Sequence, residues 1–309
     1  MAGFSVTFSS VLLILFYLFP GWILCRTKKV RPDHMSSVSV ILLYVCGPCM
    51  FLDSLTALER SRFLTVQMFL FFLISLAVQF LLMELLSLLF RKKRKEFRYR
   101  MLALASVLGN TGYFGLPVVR ALFPGNPEAA AYSCIFCATM NILAWTVGVF
   151  TLTGERKYMS LRAALLNPSV IFVALGFVLY LLRARARMPV ILTGGIATVA
   201  SMSTPLSMFI LGVRLGTMRP RDLVSDPVVW GIAAGKLLLF PLFGYLLVAF
   251  LPLPEVFRGS ILILSAAPCA SILLNLAEIH ENGRELAAAC ALLTTLLSVV
   301  TIPLLSFLL

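Results

Sequence analysis

The chain is 309 residues long, 60% hydrophobic by the AVILMFWYC count and only 13% charged, against about 25% charged for a soluble domain. That balance excludes a water-soluble globule. The formal net charge of +13 sits in short clusters between long apolar runs, which excludes a nucleic-acid-binding tail and makes a lipid bilayer the expected surroundings.

A helix needs roughly 20 apolar residues to cross a hydrocarbon core of about 30 Å. Ten stretches of that length follow one another, over 5–25, 36–56, 64–90, 101–123, 129–151, 161–182, 190–215, 228–251, 260–279 and 286–309. The sequence therefore predicts an all-α polytopic membrane protein of ten transmembrane helices, with almost nothing left over for a soluble domain. No Lys or Arg precedes the first span, and Arg26 is the first basic residue; this reads as a span with its N-terminus outside rather than a cleaved signal. Eighteen basic residues then fall in the odd-numbered loops, among them the 91–95 run, and seven in the even-numbered ones. That bias puts the odd loops in the cytoplasm and both termini outside a cell membrane, expected to be a bacterial cytoplasmic membrane.

In chain order, the second span carries Pro48 between Cys46 and Cys49, and the third carries Gln79 and Glu84. The fourth holds Gly109-Asn110-Thr111-Gly112-Tyr113-Phe114-Gly115-Leu116-Pro117, three glycines and a proline in nine residues, a composition that breaks a helix. The fifth opens on Glu128 and contains Cys134, Cys137, Asn141 and Trp145; a polar stretch over 154–160 follows. Pro205 lies in the seventh span, and Lys236 about nine residues into the eighth, too deep for easy snorkelling to the surface. The ninth is interrupted at Ala266-Ala267-Pro268-Cys269-Ala270-Ser271, and the tenth opens on Glu285.

Pro48 and Pro205 stand 157 positions apart, as do Glu128 and Glu285. The shared offset predicts two copies of a five-helix unit, 1–153 and 161–309, joined by the 154–160 loop. An odd number of spans per copy makes the second copy cross the bilayer upside down. The same offset pairs the two interrupted spans, and Lys236 with Gln79. From Arg100 to Asn110 and from Arg258 to Pro268 is ten residues, about 15 Å of helix, so both breaks are expected near the midplane. Each broken helix exposes a half-helix N-terminus with free N–H groups and partial positive charge. Two of them converging make a site for an anion such as a carboxylate.

Other chemistries find little support. The seven cysteines lie in or at the ends of apolar spans, and the two Cys-x-x-Cys spacings lack both a thioredoxin-like strand context and a second metal-ligand pair, so they read as packing residues. His34 and His280 have no carboxylate constellation around them. Neither a metal nor a cofactor is expected. An enzyme would need paired catalytic groups at one depth, which the spans do not offer. An anion channel would need a polar stripe along several helices, and a membrane-embedded sensor would append an output domain; these stand as the alternatives to a carrier.

The stretch from Leu108 to Pro117 resembles the crossover of the auxin efflux carrier family, which includes plant PIN-type and bacterial malate-permease-like transporters. Further matches are Asn167-Pro168, Ser203-Thr204-Pro205-Leu206, Lys236 to Pro241, and Ala266 through Glu278. The resemblance implies a five-plus-five inverted-repeat carrier with crossed fourth and ninth helices, moving a small organic anion by an elevator-like displacement. It implies a scaffold of spans one, two, six and seven that mediates a homodimer. Carried over by position, it assigns substrate contacts to Gly109, Asn110, Thr111, Tyr113, Asn141, Pro268, Cys269 and Ser271, and crossover structure to Gly112, Gly115, Pro117, Pro48 and Pro205. Lys236 and Gln79 are left to a structural partner or to coupling. The long hydrophilic loop of the plant members is missing between the halves, so auxin is not implied as the substrate.

Overall fold

The computed structural model describes residues 2–93, 95–279 and 283–309, and those residues are all-helical. Eight helical runs are long and apolar enough to cross a bilayer: α1 (Gly3–Arg26), α2 (Pro32–Thr56), α3 (Arg62–Leu89), and, after the first break, α6 (Glu128–Thr153), α7 (Arg156–Leu181), α8 (Val190–Thr217), α9 (Pro227–Ala249) and α12 (Arg284–Leu308). The remaining two apolar stretches are each divided. The fourth becomes α4 (Phe97–Ala105) and α5 (Leu116–Leu122), the latter entered through a widened turn at Thr111–Gly115. The ninth becomes α10 (Glu255–Ser265) and α11 (Ile272–Ile279). His280 and Arg94 lie outside the described residues.

The starts of these helices follow from local chemistry. Ser61 accepts from the Leu64 N–H, Ser160 from that of Ala163, Asn167 from that of Ser169 and Asp226 from that of Val228, each satisfying a donor that the first turn leaves without an intrahelical acceptor. Pro168 and Pro227 occupy first-turn positions where a missing N–H costs nothing. Large apolar side chains such as Phe16, Leu89, Ile191 and Phe250 are exposed around the outside, the pattern of a surface that meets lipid rather than water.

Burial ranks the helices. The most apolar window of α6 is 72% buried and that of α12 61%, whereas α1 and α7 bury 22% and 28%. So α6 and α12 form the middle, and α1 and α7 the flanks. The packing pairs recur under the 157-residue shift. α1 packs on α8 as α7 packs on α2, and α1 on α12 as α7 on α6. Likewise α3 meets α6 as α9 meets α12, and α5 meets α6 as α11 meets α12.

The α1–α8 contact is made backbone to backbone. A Cβ on Gly212 would lie 2.0 Å from the Leu18 carbonyl oxygen, and one on Gly21 would lie 2.2 Å from that of Phe209. Close approach of this kind is how helices associate where lipid supplies no hydrophobic drive. Gly212→Val should therefore destabilise the purified protein by at least the ~1–3 kcal/mol typical of overpacking, read as a lower melting temperature in detergent. Gly194→Ala should melt like the parent, because nothing lies within 4 Å of that position.

Candidate functional site

The two breaks cross and bond to each other. Residues 106–110 leave the helix after α4, residues 266–271 leave it after α10, and Gly109 pairs with Cys269 in an isolated antiparallel bridge. The Asn110 N–H donates to the Pro268 carbonyl at 2.7 Å, and the Ala270 N–H donates to that of Leu108 at 3.0 Å. Unwound backbone in the interior of a membrane protein has to find such partners.

The unwinding is displaced from where composition suggested. Glycine and proline content put it across Gly109–Pro117, but helix resumes at Thr111 as a wide turn and Pro117 is the second residue of α5. The reason is partly tertiary. A proline at 117 cannot donate to the carbonyl of residue 113, and the Thr204 hydroxyl of α8 supplies that donor, reaching the Tyr113 oxygen at 2.7 Å. The remaining backbone is pinned similarly. Ser133 Oγ donates to the Thr111 carbonyl at 2.6 Å, and Thr294 Oγ1 accepts from the Cys269 N–H at 3.0 Å.

Of the residues assigned to substrate, Gly109, Asn110, Thr111, Pro268 and Cys269 converge at the crossing. Asn110 is half-buried, and its carboxamide has no hydrogen-bond partner among the described residues. Thr111 is fully buried with its hydroxyl unpartnered. Ser271 is exposed at the start of α11. The N–H groups of Tyr113 on one side and of Ser271 and Ile272 on the other also find no acceptor among the described residues, whereas that of Gly112 meets the Cys137 sulfur. Asn141 is one step removed: its Nδ2 donates to the Cys137 carbonyl at 2.8 Å, and Cys137 Sγ would lie 3.4 Å from a Cβ on Gly112. The Tyr113 hydroxyl points away to α2, where it would sit 2.8 Å from a Cβ on Gly47. Gly115 makes room for Leu264 of α10, which a Cβ there would approach to 2.8 Å. Pro48 opens the straight part of α2 after a wide turn at Leu42–Cys46.

Lys236 is brought to the crossing and Gln79 is not. The Lys236 side chain is fully buried, and a Cβ on Gly109 would fall 2.6 Å from its Nζ. Gln79 instead donates to Thr139 Oγ1 at 2.8 Å and to the Ser75 carbonyl, joining α3 to α6. The two residues that the 157 offset pairs thus have different roles.

Two cavities open at opposite ends of the bundle, each walled by the second half of a broken helix. One of about 350 Å³ is lined by Tyr17, Asp53, Pro117, Arg120, Thr204 and Pro205. The other, about 510 Å³, is lined by Asp33, Ser39, Arg214, Asn275, Glu278 and Arg284. Each holds an ion pair. Asp53 accepts from Arg185 at 3.1 Å and lies 3.9 Å from Arg120, which also donates to Ser54 Oγ at 3.0 Å. Glu278 pairs with Arg284 at 3.1 Å. Asp53 and Arg120 are 67 positions apart in the chain, and nothing local in the sequence marks them as a pair.

Helices able to span a membrane, broken in two places that cross, already describe a transporter, and comparison with known proteins names the kind. The profile of the membrane transport protein family matches residues 6–306. The chain belongs to this family, the auxin efflux carriers, and is a multi-pass membrane protein. It is 27% identical over 310 residues to an uncharacterized transporter of Methanocaldococcus jannaschii, covering 95% of this chain and 96% of that one. It is 24% identical over 300 residues to a candidate malonate transporter of Rhizobium meliloti, covering 92% and 90%.

Pro117, Tyr113 and Thr204 act as a unit that a double-mutant cycle can read. Thr204→Val should leave the Tyr113 carbonyl without a donor, at about 1–3 kcal/mol, and lower the melting temperature. In a Pro117→Ala background, where residue 117 regains an N–H for that carbonyl, the same substitution should cost measurably less.

Proposed function

We propose that the protein is a secondary carrier for a small organic anion, in the first instance a carboxylate, bound where the two breaks cross. The observation that carries this reading is the set of unpartnered donors at the crossing. The free N–H groups of Tyr113, Ser271 and Ile272 stand at the N-terminal ends of the second half-helices, and the idle Asn110 carboxamide stands beside them. Half-helix N-termini carry partial positive charge and favour an anion, and the carboxamide can donate to it. The name of the Rhizobium relative lends support to a dicarboxylate.

In this reading the chain is an inverted repeat of 1–153 and 161–309, which the recurring packing pairs support. The scaffold is α1, α2, α7 and α8, through which two copies form a homodimer. The part that contains both breaks moves against the scaffold as an elevator and exposes the site to one cavity and then the other. The Thr204–Tyr113 bond and the Asp53–Arg120 pair then lie on the sliding surface. Both termini face outward.

Uptake into proteoliposomes tests the assignment, with malonate, malate, acetate and an aromatic acid as substrates. Accumulation against a gradient separates a carrier from a channel. Asn110→Ala should weaken binding about ten- to hundredfold, the loss of roughly 1.5–3 kcal/mol for a hydrogen bond to a charged group. Asn110→Asp should weaken it further by adding a like charge. Wild-type affinity in both well-folded variants would place the site elsewhere. One net negative charge crossing 100 mV is worth about 2.3 kcal/mol, so uptake of the anion alone should follow the imposed membrane potential.

A further inference from the structure

Lys236 sits in a widened turn of α9 at Gly235–Leu239, and its side chain is wholly excluded from solvent. Its Nζ donates to the Ser265 carbonyl at 2.8 Å and to the Val107 carbonyl at 3.2 Å, and lies 4.4 Å from the centre of the Phe240 ring. Ser265 is the last residue of α10, and Val107 lies just past the end of α4. One ammonium therefore bridges the C-terminal ends of the first halves of both broken helices. Each such end carries the equivalent of about −0.5 charge, so the two together balance one positive charge. No carboxylate pairs with Lys236 among the described residues. The same walls hold the Ser106 and Ser265 hydroxyls, both buried without a partner, and the Cys269 thiol, which donates to the Ala105 carbonyl at 3.4 Å.

Carbonyls at half-helix C-termini and in unwound backbone are the groups with which secondary transporters coordinate a coupling cation. We propose that the Lys236 ammonium occupies a monovalent-cation site at the crossing, as a built-in and permanently bound counter-ion. The protein then needs no sodium to hold its two breaks together or to take up its anion. Lys236 is a positioning residue: it fixes Val107 and Ser265, and with them Gly109 and Pro268, whose neighbours carry the anion donors. Removing the side chain down to Cβ leaves an oxygen-lined void that a small cation can fill.

This inference rests on the carrier reading for its transport readout only; melting of the purified protein tests the cation site with no substrate present. Lys236→Ala, Lys236→Met and wild type are purified and melted in sodium, methylammonium and choline chloride at equal ionic strength, and uptake is measured in the same salts. Wild type should melt and transport alike in all three. Lys236→Ala should melt lower in choline, recover in methylammonium or sodium, and show an uptake rate about ten- to hundredfold below wild type in choline that the small cations restore. Lys236→Met, which fills the space without charge, should not be rescued. A salt-dependent melt with no uptake of any acid by wild type would keep the cation site and remove the carboxylate reading. Sodium-dependent uptake by wild type would overturn the proposal, as would a Lys236→Met protein that melts and transports like wild type. So would a Lys236→Ala protein that no cation improves, or that cannot be recovered in any of them, since a vacated cation site must be one that a cation can refill.

Discussion

Two strands of unwound chain crossing inside a membrane protein must satisfy every polar group without water, and that constraint organises the rest of the molecule. An unpartnered backbone group costs several kcal/mol in hydrocarbon. The crossing meets part of the cost with its own bonds, Asn110 to Pro268 and Ala270 to Leu108. A further part is met from outside by single side chains on four other helices: Thr204, Ser133, Thr294 and Lys236. Each hydroxyl is aimed at one carbonyl or one N–H of the crossing, and the lysine at two carbonyls. The helices that deliver them pack around the crossing, with α6 and α12 the most buried of the long ones.

The groups at the crossing divide by polarity. The carbonyl ends of both first half-helices receive a cationic donor, since Lys236 reaches Val107 and Ser265. The N–H ends of the second half-helices do not all have acceptors. Cationic character is thus supplied within the fold where the helix ends are negative, while the positive helix ends stay open to something that is not part of the chain. An anion is the complement of what remains, so in the proposed reading substrate binding and the Lys236 bridge are two aspects of one electrostatic arrangement. The glycine at 109 belongs to the same arrangement, since a side chain there would displace the lysine.

The cavities at the two ends stand in a corresponding relation to the broken helices. α5 walls one and α11 the other, and each carries an Arg–carboxylate pair. Asp53 contributes from α2 and Arg120 from α5, so the pair joins a flanking helix to a broken one. Partly exposed pairs of this kind contribute little to stability.

The amino-acid sequence by itself determined the fold class, the number of apolar stretches, the two breaks and the 157-residue correspondence, because span length, proline and glycine act locally and leave a local trace. The expectation that Asn110, Thr111, Pro268 and Cys269 come together rested on the pairing of the two breaks and on the family resemblance. What only the tertiary structure decided is which side chain serves which backbone group. Lys236 and Gln79 are equivalent by offset, yet one reaches the crossing and the other bonds to Thr139. Thr204 is 91 residues from the Tyr113 carbonyl that it satisfies. In lipid, apolar side chains cover both the packed and the exposed faces of a helix, so hydrophobic periodicity does not say which faces meet. The extent of the first break was misread on the same account, since Pro117 lies in the first turn of a helix, and a hydroxyl from a distant span donates to the carbonyl that its ring cannot serve.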